Sequence, residues 1–313
     1  MATGGTRAIL AAMVANAGIA VAKFVAYVVT GSASMLAESI HSVADTSNQG
    51  LLLLGGRRAK RVADDRHQFG YGRERYFWAF VVAMVLFALG GLFSIYEGVE
   101  KIRHPHEVES LGWAIGVLVF AIVAESLSFR TAIVESRRVK GRRSWWEFIR
   151  RSRSPELPVV LLEDAGALIG LVLALIGVGL AAITGDVVWD GIGTLSIGVL
   201  LVAISVVLTI EMKSLLIGEA ATEEHVSALM SAVEKMPSVN RVIDLKTQHI
   251  GPEELLVAGK VEFDHSLSNP QLSDAIDEVE KALRNAVPMT SQIYLEPDLY
   301  DPRHPSEDQS PPH

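Results

Sequence analysis

Six runs of mostly apolar residues divide the first two-thirds of the chain, at about 8–29, 33–55, 76–98, 111–134, 157–183 and 187–211. An α-helix needs ~20 such residues to cross a bilayer core, so the pattern predicts an α-helical membrane protein with six transmembrane helices. Only Thr30-Gly31-Ser32 joins the first two runs and only Thr184-Gly185-Asp186 the last two, which predicts two tight helical hairpins. After Gly218 the period changes. Residues 223–236 carry Val226, Leu229, Met230 and Val233 at helical spacing. Residues 239–250 and 255–264 alternate as half-buried strands around a Gly251-Pro252 turn, 272–287 is a second amphipathic helix, and 292–295 a short strand. The order αββαβ predicts a small α+β domain with its helices on one face of a sheet. The expected organisation is a six-helix membrane domain over residues 1–216, a cytoplasmic α+β domain over 217–297, and a disordered tail over 298–313.

Charge orients this arrangement. The segment 57–75 carries seven Lys or Arg and the segment 130–153 carries nine, whereas the 97–109 connection has only Lys101 and Arg103 and the hairpin turns have none. By the positive-inside rule both basic loops are cytoplasmic. Six spans then bring both termini to the same side, in a plasma or bacterial inner membrane by default. Trp145 and Trp146, in the second basic loop, suit the membrane interface. The net charge of −8 hides an asymmetry: from Glu211 onward 19 acidic residues face 8 basic ones, while the preceding part holds 17 acidic and 20 basic. Basic residues at membrane flanks rather than on the soluble part argue against nucleic-acid binding. The first apolar run lacks a small-residue cleavage pattern and reads as a span, not a leader. With no cysteine in the chain, disulfides and thiolate sites are excluded. Any metal must be held by His, Asp and Glu, which suit hard or borderline cations.

The polar residues inside the apolar runs carry the chemistry. In Leu36-Ala37-Glu38-Ser39-Ile40-His41-Ser42-Val43-Ala44-Asp45, on the second span, His41 and Asp45 stand four apart and share a helical face. The fifth span holds Glu163 and Asp164. Ionisable groups at bilayer depth are costly unless they bind or move something. His41, Asp45 and Asp164 make three ligands for a divalent cation. Adjacent helical residues point ~100° apart, so Glu163 is a weaker member with three readings: fourth ligand, proton carrier, or partner of a basic residue at the cytoplasmic rim. Gly166, Ala167 and Gly170 allow a neighbouring helix close to the Asp164 side. The plainer alternative is a hydrogen-bond network holding the second and fifth spans together, disfavoured because no Lys or Arg is expected at that depth. Lys23 is expected to snorkel to the outer rim. Glu125 is expected to pair with Arg130, the alternatives being a proton site or a group behind the ligands. Asn48 and Gln49 either line the same cavity or bridge helices.

These residues also carry a resemblance. Thr30-Gly31-Ser32 followed by the run from Leu36 to Asp45, then Asp64-Asp65-Arg66-His67-Gln68-Phe69-Gly70-Tyr71-Gly72-Arg73, and then Glu97-Gly98-Val99-Glu100-Lys101-Ile102, are similar to motifs of the cation diffusion facilitators. The Leu-Leu-Glu-Asp form at 161–164 resembles the zinc transporter nine-like branch, with Val160 where zinc members usually have histidine. The resemblance implies a homodimeric antiporter, not an enzyme, that exports Zn²⁺ or a similar divalent cation from the cytoplasm against protons. It implies no cofactor: the cation is cargo and H⁺ the counter-ion. In that branch Glu163 is the natural substitute ligand. The loop motif would offer Asp64 and His67 to a second, interfacial ion, with Tyr71 where a third histidine often stands. The soluble domain resembles the family's metallochaperone-like domain, but Ile243, Gly259, Tyr294 and Glu296 stand where zinc-sensing members place ligands. Dimerisation is therefore its expected role, with His249 and His265 as solvated surface histidines. Mn²⁺, Fe²⁺ or Co²⁺ are alternative cargoes, and a membrane-embedded metalloenzyme is the alternative class.

Overall fold

The computed structural model describes the backbone of residues 3–30, 33–105 and 111–300, and their side chains except at 3–5, 29–30, 33–38, 40–41, 44 and 111. Two compact units divide the chain, Met1–Leu216 and Ile217–His313.

The first unit is helical: α1 (Thr3–Thr30), α2 (Ala33–Arg58), α3 (Glu74–Val85), α4 (Phe93–Arg103), α5 (Leu111–Lys140), α6 (Trp145–Arg151), α7 (Glu156–Thr184) and α8 (Val188–Ile217). A π-helical segment, Leu86–Leu92, fuses α3 and α4 into one rod. Among the described residues five stretches are long and apolar enough to cross a membrane: Thr6–Val28, Glu74–Arg103, Gly112–Lys140, Glu156–Thr184 and Val188–Ile217. The second expected span lies on α2, whose apolarity is lowered by Glu38, His41 and Asp45 as well as by the polar turn Thr46-Ser47-Asn48-Gln49. Thr46 and Ser47 donate inside the helix to the Ser42 and Val43 carbonyls at 2.9 Å, and Ser39 donates across to the Ala20 carbonyl of α1 at 3.0 Å.

Local chemistry sets the helix ends. Ser144 caps α6, its side chain accepting from the Glu147 N–H at 3.1 Å. Pro155 precedes α7, and Gly185 closes it at φ 74°, a left-handed conformation that only glycine adopts without strain. α1 packs on α2 and α5, α5 on α7, and α2 on α3. α4 meets α8 through glycines. A Cβ on Gly98 would stand 2.5 Å from the Leu195 nitrogen, and one on Gly198 2.6 Å from the Ile95 nitrogen. Lipid tails are as apolar as leucine, so such close backbone packing, rather than the hydrophobic effect, holds membrane helices together.

The packing is uneven along the bundle. At the end bearing the basic loops, Tyr76, Phe148, Leu157, Val160, Leu208 and Met212 belong to one buried apolar cluster. Arg75 pairs there with the buried Glu156, and Arg150 with Glu211 at 3.2 Å. The opposite end holds a cavity instead.

The second unit is αββαβ: α9 (Glu223–Glu234), β1 (Val239–Gly251), β2 (Glu254–Phe263), α10 (Asn269–Ala286) and β3 (Thr290–Pro297). β1 pairs antiparallel with β2, and β2 parallel with β3 in the order β1-β2-β3. The parallel pair needs a crossover, which α10 supplies. Leu255, Val257, Val261 and Phe263 alternate inward from β2 onto Leu229 and Val233 of α9 and Val279 and Leu283 of α10. The α+β architecture matches the αββαβ order expected from the pattern.

Two expectations change here. His249 is not a surface residue: it is 1% exposed, its N–H donates to the Glu219 carbonyl at 2.8 Å, and its Nδ1 lies 3.4 Å from the Gly251 carbonyl. His265 is exposed and pairs with Glu262 at 3.1 Å. Of the stretch expected as a tail, residues 298–300 are held to the domain: the Asp298 N–H donates to the Val261 carbonyl at 3.1 Å, and the Arg241 guanidinium lies 4.2 Å from the Tyr300 ring centre. Residues 301–313 lie outside the described residues.

Candidate functional site

A cavity of about 220 Å³ opens within the helical unit, walled by α1, α2, α4, α5, α7, α8 and the π-helical segment. Asp45 of α2, Glu163 of α7, Glu125 of α5 and Lys23 of α1 line its deep end. Helical periodicity brings them there. Asn16 and Lys23 are seven apart and share the α1 face toward the cavity, as Leu118 and Glu125, also seven apart, do on α5. Gly166, Ala167 and Gly170 of α7 form part of the wall. The helix their small side chains admit is α8, since a Cβ on Gly166 would meet Ile204 at 2.6 Å.

Glu163 is 5% exposed, and both its carboxylate oxygens are engaged. Asn48 Nδ2 donates to Oε1 and Gln49 Nε2 to Oε2, each at 3.0 Å. Each oxygen thus accepts one amide N–H. The pair ties α2 to α7, so of the two readings of Asn48 and Gln49 the structure has the helix bridge. Asp164 points elsewhere. It is 1% exposed, accepts from Ser128 Oγ of α5 at 2.7 Å, and is not part of the cavity wall; its Oδ1 receives no donor among the described residues. Adjacent positions on one helix thus serve two neighbours, Glu163 toward α2 and Asp164 toward α5.

Asp45 and Glu163 share the cavity. His41 lies on α2, with its side chain outside the described residues. Among the described residues no three His, Asp or Glu side chains stand close enough to hold one ion.

Two further expectations are corrected. Lys23 does not snorkel to the rim; it is 6% exposed and faces the cavity, so a cation does lie at carboxylate depth. Glu125 is 2% exposed on the cavity wall, while Arg130 is exposed, so the expected pairing toward the inner rim is replaced by a place beside the other acids. The helical spacing of Asn16 with Lys23, and of Leu118 with Glu125, was the signal available in the sequence for both.

The loop between α2 and α3 is organised around Asp64. Its Oδ1 accepts from the Arg66 and His67 N–H groups at 3.1 and 2.8 Å, and its Oδ2 from the Tyr71 hydroxyl at 2.6 Å. The Tyr71 hydrogen bond and the His67 amide hold the Asp64 carboxyl below its ordinary range, and the same bond pushes the Tyr71 hydroxyl up. His67 Nδ1 is 3.5 Å from Asp64 Oδ1, and its ring packs on Tyr71 at 4.5 Å, with Arg61 4.4 Å from the other ring's centre. Tyr71 thus fills one acceptor site of the Asp64 carboxylate.

The geometry describes a membrane-embedded cavity lined by acids from several helices, the arrangement of a transporter for cations. The model of the cation efflux transmembrane domain matches residues 9–217, and the chain belongs to that family, one of transporters and not of enzymes. The human (Homo sapiens) proton-coupled zinc antiporter SLC30A9, mitochondrial, is 36% identical over 245 residues, 77% of this chain and 43% of that protein. Metal tolerance protein C4 of Arabidopsis thaliana is 27% identical over 82% of this chain and 57% of its own length. The cation-efflux pump FieF of Escherichia fergusonii is 25% identical over 92% and 91%. The resemblance to the zinc transporter nine-like branch is borne out. The chain spans under half the length of the human relative.

Proposed function

We propose that this protein exports a divalent metal cation, Zn²⁺ first, from the cytoplasm in exchange for protons. The observation that carries the reading is the cavity in a cation efflux chain, with Asp45 of α2 and Glu163 of α7 both on its wall. The proposed cargo site takes His41 and Asp45 from α2 with Asp164 and Glu163 from α7. Metal and protons compete for the same lone pairs, so binding releases protons and protonation from outside unloads the cation. No cofactor is needed. α2 completes the six spans in this reading, with Asn48 and Gln49 of its polar turn facing Glu163 of α7 rather than lipid. The basic loops are cytoplasmic, as are both termini, and the soluble unit dimerises. The proposed location is a plasma or bacterial inner membrane, whereas SLC30A9 is named as mitochondrial.

The packed apolar cluster at the basic-loop end and the cavity at the other support an outward-open state, with alternating access by rocking of helices. The test is transport in proteoliposomes across a panel of Zn²⁺, Mn²⁺, Fe²⁺ and Co²⁺ with internal pH recorded. Export with proton uptake is expected from the wild type, and its loss in His41→Ala and Asp45→Ala. Unchanged transport in either variant would sink the reading. One observation favours a second cargo: the acids on the cavity wall, Asp45, Glu125 and Glu163, are all oxygen donors, which suit Mn²⁺. The second, interfacial ion at Asp64 and His67 is less well supported, because Tyr71 already donates to Asp64.

A further inference from the structure

An aromatic and basic patch faces outward at the basic-loop end of the helical unit. Residues 137–153 hold eight Lys or Arg against one acid, Glu147. The short helix α6 within them has two sides. Phe148 and Ile149 are buried, Phe148 in the apolar cluster of the bundle, whereas Trp145 is 37% and Trp146 57% exposed. Each exposed indole carries a cation: Lys140 Nζ lies 5.2 Å from the Trp145 ring centre, and the Arg150 guanidinium 5.9 Å from that of Trp146. Three of the arginines are engaged by carboxylates, Arg138 by Glu135, Arg150 by Glu211 and Arg151 by Glu147. Among the described residues no carboxylate pairs with Arg142 or Arg143; Arg143 reaches the Lys140 and Val139 carbonyls, both at 3.4 Å.

Helix geometry gives the depth of this patch. A Cβ on Gly166 of α7 would meet Ile204, near the middle of α8. Glu211 stands two turns further along α8, about 10 Å at the rise of an α-helix, and Arg150 of α6 is 3.2 Å from it. A hydrocarbon core extends ~15 Å to either side of its middle, so α6 lies at its rim, the level of headgroup phosphates and glycerol. We propose that Arg142 and Arg143, with the indoles of Trp145 and Trp146, form a docking site for an anionic phospholipid of the leaflet at this end. The planar guanidinium forks match phosphate oxygens. The indoles, apolar in body with one N–H, suit the glycerol level, where one side is apolar and the other wet. A zwitterionic lipid brings the same phosphate with its own ammonium, which offsets the charge that the arginines would meet. The inference rests on the membrane-spanning fold and not on the cargo.

The test counts lipids bound to the full chain in detergent by native mass spectrometry, with phosphatidylglycerol and phosphatidylcholine titrated separately, on variants that stay monodisperse in gel filtration. The wild type is expected to hold phosphatidylglycerol on the order of tenfold more tightly. One Lys or Arg near an anionic surface is worth about fivefold in affinity, so Arg142→Gln/Arg143→Gln is expected to weaken phosphatidylglycerol roughly twentyfold and leave phosphatidylcholine unchanged. Lys60→Gln/Arg66→Gln removes the same charge from the exposed loop between α2 and α3, and is expected to leave both affinities as they were. Equal weakening by the two double variants would reduce the effect to overall charge and overturn the proposal. Trp145→Ala/Trp146→Ala keeps every cation and is expected to weaken phosphatidylglycerol severalfold; unchanged binding there overturns the proposal too. Inorganic phosphate is expected not to displace the lipid, and displacement would identify a site for soluble phosphate instead.

Discussion

Removing the two amides that hold Glu163 tests whether this carboxylate is kept away from the cargo or offered to it. In Asn48→Ala/Gln49→Ala both 3.0 Å bonds are lost, and Glu163 is left buried without those donors. Side-chain hydrogen bonds between membrane helices measure ~0.6–1.7 kcal/mol each. Two of them come to ~1–3 kcal/mol that no longer opposes coordination of a cation by Glu163. Since 1.4 kcal/mol is a factor of ten, the double variant is expected to bind Zn²⁺ about tenfold more tightly. Turnover falls at the same time, because a tighter site releases more slowly. The assay is equilibrium Zn²⁺ binding in detergent, paired with a thermal unfolding curve that reports the loss of the α2–α7 tie. Adding Glu163→Gln to the double variant removes the gain, since a neutral amide is a poor ligand. That third measurement separates ligation from loosening of the helices. An affinity unchanged by the double variant, on protein that still unfolds cooperatively, would refute the reasoning.

Other consequences follow from single contacts. Ser128→Ala deprives Asp164 of the 2.7 Å donor from α5, and a loss of about 1–2 kcal/mol is expected as a lowered unfolding midpoint in detergent. Gly98→Val forces branched carbons toward the Leu195 nitrogen, 2.5 Å from the first added carbon; parting α4 from α8 is expected to cost more than ~2 kcal/mol, read as loss of monodisperse protein on size-exclusion chromatography. The Asp64 carboxyl titrates below its ordinary value of 3.8, so its contribution to the 64–71 turn is complete above that value and lost as pH falls through the lowered one. Tyr71→Phe removes the largest cause of the shift, and amide exchange in the turn is expected to quicken at a higher pH in the variant than in the wild type.

Much of this protein was legible in one dimension. Membrane helices must satisfy their backbones internally, so span positions follow from apolar length, and Glu74–Arg103, Glu156–Thr184 and Val188–Ile217 cover the predicted runs. The soluble unit was equally readable, because strands of period two and helices of period 3.6 leave different patterns. Leu255, Val257, Val261 and Phe263 are buried as that alternation required. The motif residues were enough to name the family.

Which way each polar side chain faces was decided by the tertiary structure. Glu163 and Asp164 are neighbours in the chain, and nothing local tells which of them meets the amides of α2 and which the Ser128 hydroxyl of α5. Lys23 has no acidic residue within a helical turn of it in the sequence and so looked bound for the rim; the carboxylates that line the cavity with it come from α2, α5 and α7. Sequence alone determined that a helical membrane unit carries acids at bilayer depth, because the cost of placing charge in lipid is a property of each residue. The packing of five or more helices determined which acids share a cavity, because a charge inside a membrane is settled by neighbours that lie far away along the chain.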